Sequence, residues 1–98
     1  MATLIHADGS EREIKDVHLL SYDRLRELLD GPVEYVYFTD GRVLLVNELF
    51  KFRDFPLNLR ATTLIDGHYD KIHGPAILMS AGEFKTIEES PSSEQTDD

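Results

Sequence analysis

The stretch that decides the fold is Val33-Glu34-Tyr35-Val36-Tyr37-Phe38-Thr39-Asp40-Gly41-Arg42-Val43-Leu44-Leu45-Val46-Asn47. β-branched and aromatic residues crowd both sides of Asp40-Gly41, a dipeptide suited to the positive φ angles of tight hairpin turns. A two-residue turn there pairs Phe38 with Val43, Tyr37 with Leu44, Val36 with Leu45 and Tyr35 with Val46. Directly opposed residues share a face. One face then presents Tyr35, Tyr37, Leu44 and Val46, and the other Val36, Phe38, Val43 and Leu45. Both are apolar, whereas an antiparallel sheet in a small domain commonly leaves one face to water. The hairpin therefore demands cover on two sides, and a second copy of the chain, in a homo-oligomer and most simply a dimer, is the expected source of part of it.

Upstream, Ser21 suits a helix N-cap and Asp23 suits the helix dipole. Tyr22, Leu25, Leu28 and Leu29 share a helical face, Leu20 and Leu25 form a hydrophobic staple, and Gly31 followed by Pro32 ends a helix over 22–30. Before it, Ala2-Thr3-Leu4-Ile5-His6 and Glu11-Arg12-Glu13-Ile14-Lys15 flank Asp8-Gly9, a first hairpin whose register the turn leaves open between two-residue and three-residue loops. Downstream, Asn58 caps a short helix through Ile65 that Asp66-Gly67 stops, and Pro75 leads into a last strand over 76–80. The order ββαββαβ predicts an α+β fold, a five-stranded antiparallel or mixed sheet with two short helices.

Ninety-eight residues with 41% hydrophobic content fill one modest core. No segment approaches the roughly 20 apolar residues of a membrane span, and the N-terminus lacks the order of a signal peptide, so a cytoplasmic protein is expected. The absence of Cys removes disulfides, thiolate nucleophiles and Cys-ligated metals. Of the net charge of -9, residues 83–98 hold 6 acids and 1 base, so the acidity concentrates at the end of the chain. The reading is a single domain over 1–82 and a polar, disordered acidic tail over 83–98. Sequence-neutral nucleic-acid binding is not expected at a pI of 4.7.

Catalytic and metal-binding patterns are weak. His68, Asp70 and His73 lie close together without zinc-site spacing, His6 and His18 are isolated, and Ser10 and Ser80 lack a nucleophile-elbow context. The six glycines are scattered, so no phosphate loop of the Walker or Rossmann type exists. No cofactor, metal or catalytic residue is expected, and an enzyme working through His68 and His73 is the minor alternative. One window departs from the acidic average: residues 41–65 hold Arg42, Lys51, Arg53 and Arg60 against Glu48 and Asp54, with Phe50, Phe52 and Phe55 interleaved. Guanidinium groups bind phosphate, aromatic rings stack on bases, and helix starts attract anions. Lys51, Arg53, Arg60 and Asn58, with Phe50 and Phe52 stacking, are thus the candidate residues for an anionic, nucleotide-like ligand. The competing reading makes the Phe residues cover for the hairpin and leaves the basic groups solvated.

Several short motifs recur together over residues 2–80: Ala7-Asp8-Gly9, Asp30-Gly31 with Val33-Glu34, Asp40-Gly41-Arg42, Asn47-Glu48, Leu57-Asn58 with Arg60-Ala61-Thr62, and Ile72 with Gly74-Pro75-Ala76. In order and spacing they resemble a DUF3846-like family of small domains of unknown function in phages, plasmids and their bacterial hosts. The chain departs from the family pattern after Asn47, where Leu49-Phe50-Lys51 replaces a Glu-Gly-Lys-like bend and Phe52-Arg53-Asp54-Phe55 lengthens the approach to Pro56. The resemblance implies an α+β fold, a phage or mobile-element origin and no catalytic residues. By analogy with small phage proteins it suggests a binder that sequesters a nucleotide signal of host defence. The alternative is an acidic protein-interaction inhibitor or nucleic-acid mimic acting on a host protein.

Overall fold

A computed structural model describes residues 2–15, 17, 20–49, 54–65 and 71–89. The elements are β1 (Ala2–Ile5), β2 (Glu11–Ile14), α1 (Tyr22–Leu29), β3 (Val33–Tyr37), β4 (Val43–Asn47), α2 (Leu59–Ile65), β5 (Ala76–Met79) and α3 (Ala81–Glu89). The five strands form one antiparallel sheet in the order β2-β1-β5-β4-β3. The α+β class and the first seven elements match the expectation; a third helix is added.

The central hairpin closes differently from the expected two-residue turn. The Phe38 N–H donates to the Arg42 carbonyl at 2.9 Å and the Gly41 N–H to the Phe38 carbonyl at 3.1 Å, enclosing a three-residue loop. Gly41 takes φ 96°, while Asp40 keeps a negative φ and so cannot be the first residue of a type I′ turn. The Asp40 carboxylate instead accepts from the Arg42 backbone N–H at 3.0 Å. Register moves by one residue, to Tyr37 with Val43, Val36 with Leu44, Tyr35 with Leu45 and Glu34 with Val46. One strand's side chains thereby exchange faces. Val33, Tyr35, Val43 and Leu45 now share a face with α1 and α3, and Val36, Leu44 and Val46 share the other with α2.

Both faces are covered within one chain. Leu25, Leu29 and Phe84 pack on the first, Ala61, Ile65 and Ile72 on the second, and every residue of β4 is buried. The expectation of a second copy rested on one apolar face being left bare, and that premise does not stand.

Helix α1 starts as its sequence dictates: Ser21 Oγ accepts from the Arg24 N–H at 3.1 Å. It ends one residue early, because Asp30 rather than Gly31 takes the left-handed cap at φ 61°. Aspartate tolerates that conformation better than most side chains. Gly31 has a different constraint, since a Cβ there would lie 2.5 Å from Asn47 Nδ2. Asn47 is fully buried; its amide donates to the carbonyls of Leu29 and Asp30 at 3.0 and 2.9 Å, and its Oδ1 accepts from the Leu49 N–H at 2.7 Å. The end of α1 is thereby fastened to the end of β4.

Folded structure extends past the expected boundary at residue 82 into α3. Ser80 and Glu83 form a reciprocal cap, with the Glu83 N–H donating to Ser80 Oγ at 3.2 Å and the Ser80 N–H to Glu83 Oε1 at 2.9 Å. Partial burial pushes the Glu83 carboxyl up, but its bonds with Ser80 outweigh this and hold it below the ordinary value. Phe84 seats the helix, its ring 5.2 Å from that of Tyr35 and 5.9 Å from that of Tyr37. The remainder of the expected tail, 90–98, lies outside the described residues, as does the Asp66-Gly67 helix stop.

Candidate functional site

On the face of the sheet that α2 covers, the β1–β2 loop and α2 stand apart and enclose an open groove of about 530 Å³, lined by Ala7, Asp8, Gly9, Leu59, Arg60 and Thr63. The loop wall is a three-residue turn like that of the central hairpin. The His6 N–H donates to the Ser10 carbonyl at 2.9 Å, the Gly9 N–H to the His6 carbonyl at 3.0 Å, and Gly9 takes φ 95°. Asp8 accepts from the Ser10 backbone N–H at 2.9 Å and from its hydroxyl at 2.7 Å, and these bonds hold its carboxyl below the usual aspartate range. Asp8 is therefore charged throughout the physiological range.

The other wall is fixed by Asn58. Its Oδ1 accepts from the Ala61 N–H at 3.1 Å, the expected cap of α2, while Nδ2 donates to the carbonyls of Ile5 at 3.0 Å and Gly74 at 2.7 Å. One buried amide thus bolts the helix start to the end of β1 and to the approach to β5. Thr62 adds to the joint, its Oγ1 donating to the Asn58 carbonyl at 2.8 Å and accepting from the Ile72 N–H at 2.9 Å. Distance between the walls is consequently set by covalent geometry and hydrogen bonds rather than by surface side chains.

Arg60 reaches out from α2 and its Nε donates to Glu11 Oε2 on β2 at 3.0 Å. Both side chains are about half exposed, at 54% and 41%. An exposed pair of this kind is worth roughly 0.2–1 kcal/mol, little enough for a competing ion to replace either partner. Counting formal charges around the groove, Asp8 and Glu11 outweigh Arg60, so its rim is net acidic. Leu59, 66% exposed, supplies an apolar patch beside these charges, and Leu57 is 40% exposed.

The anion cradle expected from the sequence is not assembled by the described residues. Arg60 is already bridged to Glu11, and Asn58 is a buried clamp whose amide is spent on three protein bonds, a correction to its reading as a ligand contact. Lys51, Arg53, Phe50 and Phe52 lie outside the described residues, as do His18, His68 and Asp70. Phe55 is half-buried against the core under α2, the covering role weighed above as the competing reading. His73 Nδ1 sits 3.0 Å from the Phe55 carbonyl and carries its proton toward it. His6 is exposed, Ser10 belongs to the Asp8 turn and Ser80 to the α3 cap. Among the described residues no three His, Asp or Glu side chains come together as a metal-holding group, and no helix is long and apolar enough to cross a membrane.

A family model described as "Domain of unknown function (DUF3846)" matches residues 1–96. The chain belongs to the DUF3846 family. That match runs through α3 and beyond, so the helix on the far side of the expected boundary falls within the span of the DUF3846 domain. No curated protein and no solved structure gives a match.

Sequence reasoning missed Asp8 and Leu59 as groove residues and Glu11 as the partner of Arg60 at its rim. Glu11 and Arg60 are 49 positions apart, and only the fold brings them together.

Proposed function

We propose that this DUF3846 chain is a non-catalytic binding protein that engages a basic segment of a partner protein through the groove between the β1–β2 loop and α2. The observation that carries the reading is the balance of charge at the rim: Asp8, held ionised by Ser10, lines the groove with Arg60, whose guanidinium is bridged to Glu11, so two carboxylates stand against one cation. A lysine or arginine entering there lays its methylene stem on Leu59 and finds carboxylates for its head group. The net charge of -9 steers such a partner toward the protein over a Debye length of about 8 Å. The biological setting this fits is an inhibitor of phage or mobile-element origin that blocks a basic surface of a host protein in the host cytoplasm.

Calorimetric titration with a short lysine-rich peptide tests it. Wild-type protein binds in a salt-dependent manner, and the double variant Asp8→Asn/Glu11→Gln binds about tenfold or more weakly, the loss expected for charge-assisted hydrogen bonds. Equal binding by the variant, or no binding by the wild type, overturns the reading.

A second reading is supported by the interleaving of Phe50, Phe52 and Phe55 with Lys51 and Arg53: sequestration of an anionic, nucleotide-like signal by Lys51, Arg53 and Arg60. Cyclic dinucleotides and ADP-ribose then bind, and Arg60→Gln weakens them while leaving the lysine-rich peptide bound.

A further inference from the structure

Strand β2 ends the sheet on the side of the groove, and its residues Glu11, Arg12 and Glu13 are all exposed. The ladder fixes which backbone groups face outward. Because His6 and Ser10 form a hydrogen-bonded pair, the next such pair is Leu4 with Arg12. The N–H and C=O groups of Glu11 and Glu13 therefore point away from β1, and among the described residues nothing pairs with them. Charged residues on an edge are ordinarily a guard against strand pairing. Here their arrangement is selective as well. Glu11 and Glu13 stand opposite Ile5 and Thr3 on the α2 face, the face of Arg60 and the groove, whereas Arg12 stands opposite Leu4 on the other.

Resting on the reading of the groove as a site for a basic segment, we infer that the segment binds as an added antiparallel strand along β2. Its lysines or arginines at alternate positions lie opposite Glu11 and Glu13, and an acidic or neutral residue between them lies opposite Arg12. Main-chain bonds to Glu11 and Glu13 supply the register, and the alternation of charge supplies the choice of partner. A second copy of the chain does not meet this requirement at Glu11, Arg12 and Glu13. A two-fold antiparallel register centred on Glu11, Arg12 or Glu13 sets a like-charged residue against itself, and within β2 only a register shifted to Ile14, which pairs Glu13 with Lys15, escapes this. In the register centred on Arg12, Glu11 also meets Glu13. Over Glu11–Glu13 the edge thus opposes its own copy and admits a strand of the opposite pattern.

Two synthetic peptides test this: one with Lys-Glu-Lys flanked by threonines, and the same peptide N-methylated at the backbone nitrogens that pair with β2. By anisotropy titration the unmodified peptide binds, and methylation, which leaves every charge in place, weakens it by about tenfold or more. Glu13→Pro, which deletes one outward N–H at an edge position that tolerates proline, produces a matching loss with an unchanged thermal transition. Should this variant fail to fold, the peptide pair on wild-type protein decides alone. The reversed variant Glu11→Lys/Glu13→Lys prefers a Glu-Lys-Glu peptide. Equal binding of the two peptides, with Asp8→Asn/Glu11→Gln still weakening both, overturns strand addition and leaves the groove reading intact. Absence of binding by both peptides overturns the two together.

Discussion

The molecule contains two hairpins closed by one turn chemistry and put to opposite uses. At each tip an aspartate accepts from the backbone N–H two residues on, Asp8 from Ser10 and Asp40 from Arg42, and the following glycine takes a positive φ, 95° at Gly9 and 96° at Gly41. There the likeness ends. Strand β4 is buried along its whole length, and its turn abuts the start of α3, where a Cβ on Gly41 would lie 3.3 Å from Ala81 Cβ. Strand β2 is exposed and charged, and its turn opens on the groove, with nothing within 4 Å of a Cβ on Gly9. Turn geometry is a local property of five residues; whether a hairpin becomes core or contact surface depends on its rank in the sheet.

The largest effect that sharpens this contrast comes from the strands. Leu44→Ala and Leu45→Ala each remove a fully buried side chain from the central hairpin and cost about 2–5 kcal/mol in urea denaturation. On the other hairpin, Glu13→Ala stays within about 0.5 kcal/mol of wild type. Comparable losses would mean that β2 is not the free edge described.

Next come the two buried asparagines, Asn47 beside the central hairpin and Asn58 beside the first. Each makes three bonds to backbone groups, so Asn47→Ala and Asn58→Ala each orphan buried partners and cost about 1–3 kcal/mol or more. The asymmetry lies in binding, where Asn58→Ala, by loosening the groove wall, also weakens the lysine-rich peptide and Asn47→Ala does not.

A smaller effect separates the turns. Gly9→Ala and Gly41→Ala share a backbone penalty of about 1 kcal/mol for a side chain at positive φ. Only Gly41→Ala also crowds Ala81, so its thermal midpoint falls further. Identical shifts would show that α3 gives way freely.

The smallest effect is on acid stability. Asp8 and Asp40 are held below the ordinary aspartate value, first of all by the backbone N–H groups of Ser10 and Arg42. A carboxylate with a depressed folded pKa adds stability above its unfolded value, about 3.9, and that stability is lost as pH falls through the folded value. The double variant Asp8→Ala/Asp40→Ala is therefore less stable at neutral pH and declines less steeply below about pH 4 than wild type.

Much of this architecture can be read from local sequence. Ser21, the apolar spacing of α1, the density of β-formers around Asp40-Gly41 and Asn58 as a cap each act on neighbours a few residues away. The register at Asp40-Gly41 was not legible, because the same dipeptide serves two-residue and three-residue loops, and one residue of difference exchanges a strand's faces. Helix α3 was legible in principle: Ser80 and Glu83 have capping-box spacing and Phe84 and Ile87 fall on one helical face, but the acidic composition that follows masked the signal. The site was the least legible part. Asn58 looks like a surface cap until its amide is seen to reach Ile5, 53 positions away, and the groove exists only because the fold sets the β1–β2 loop beside α2.

The order β2-β1-β5-β4-β3 also bears on how the chain acquires its structure during synthesis. Strand β5, the last to leave the ribosome, is the middle of the sheet and the only one joining the two hairpins. Until residues 76–79 emerge, the inner borders of β1 and β4 have no neighbour, and four of the five residues of β4 are apolar. Late insertion of a central strand raises contact order and slows folding, and it leaves nascent chains open to cross-pairing with one another.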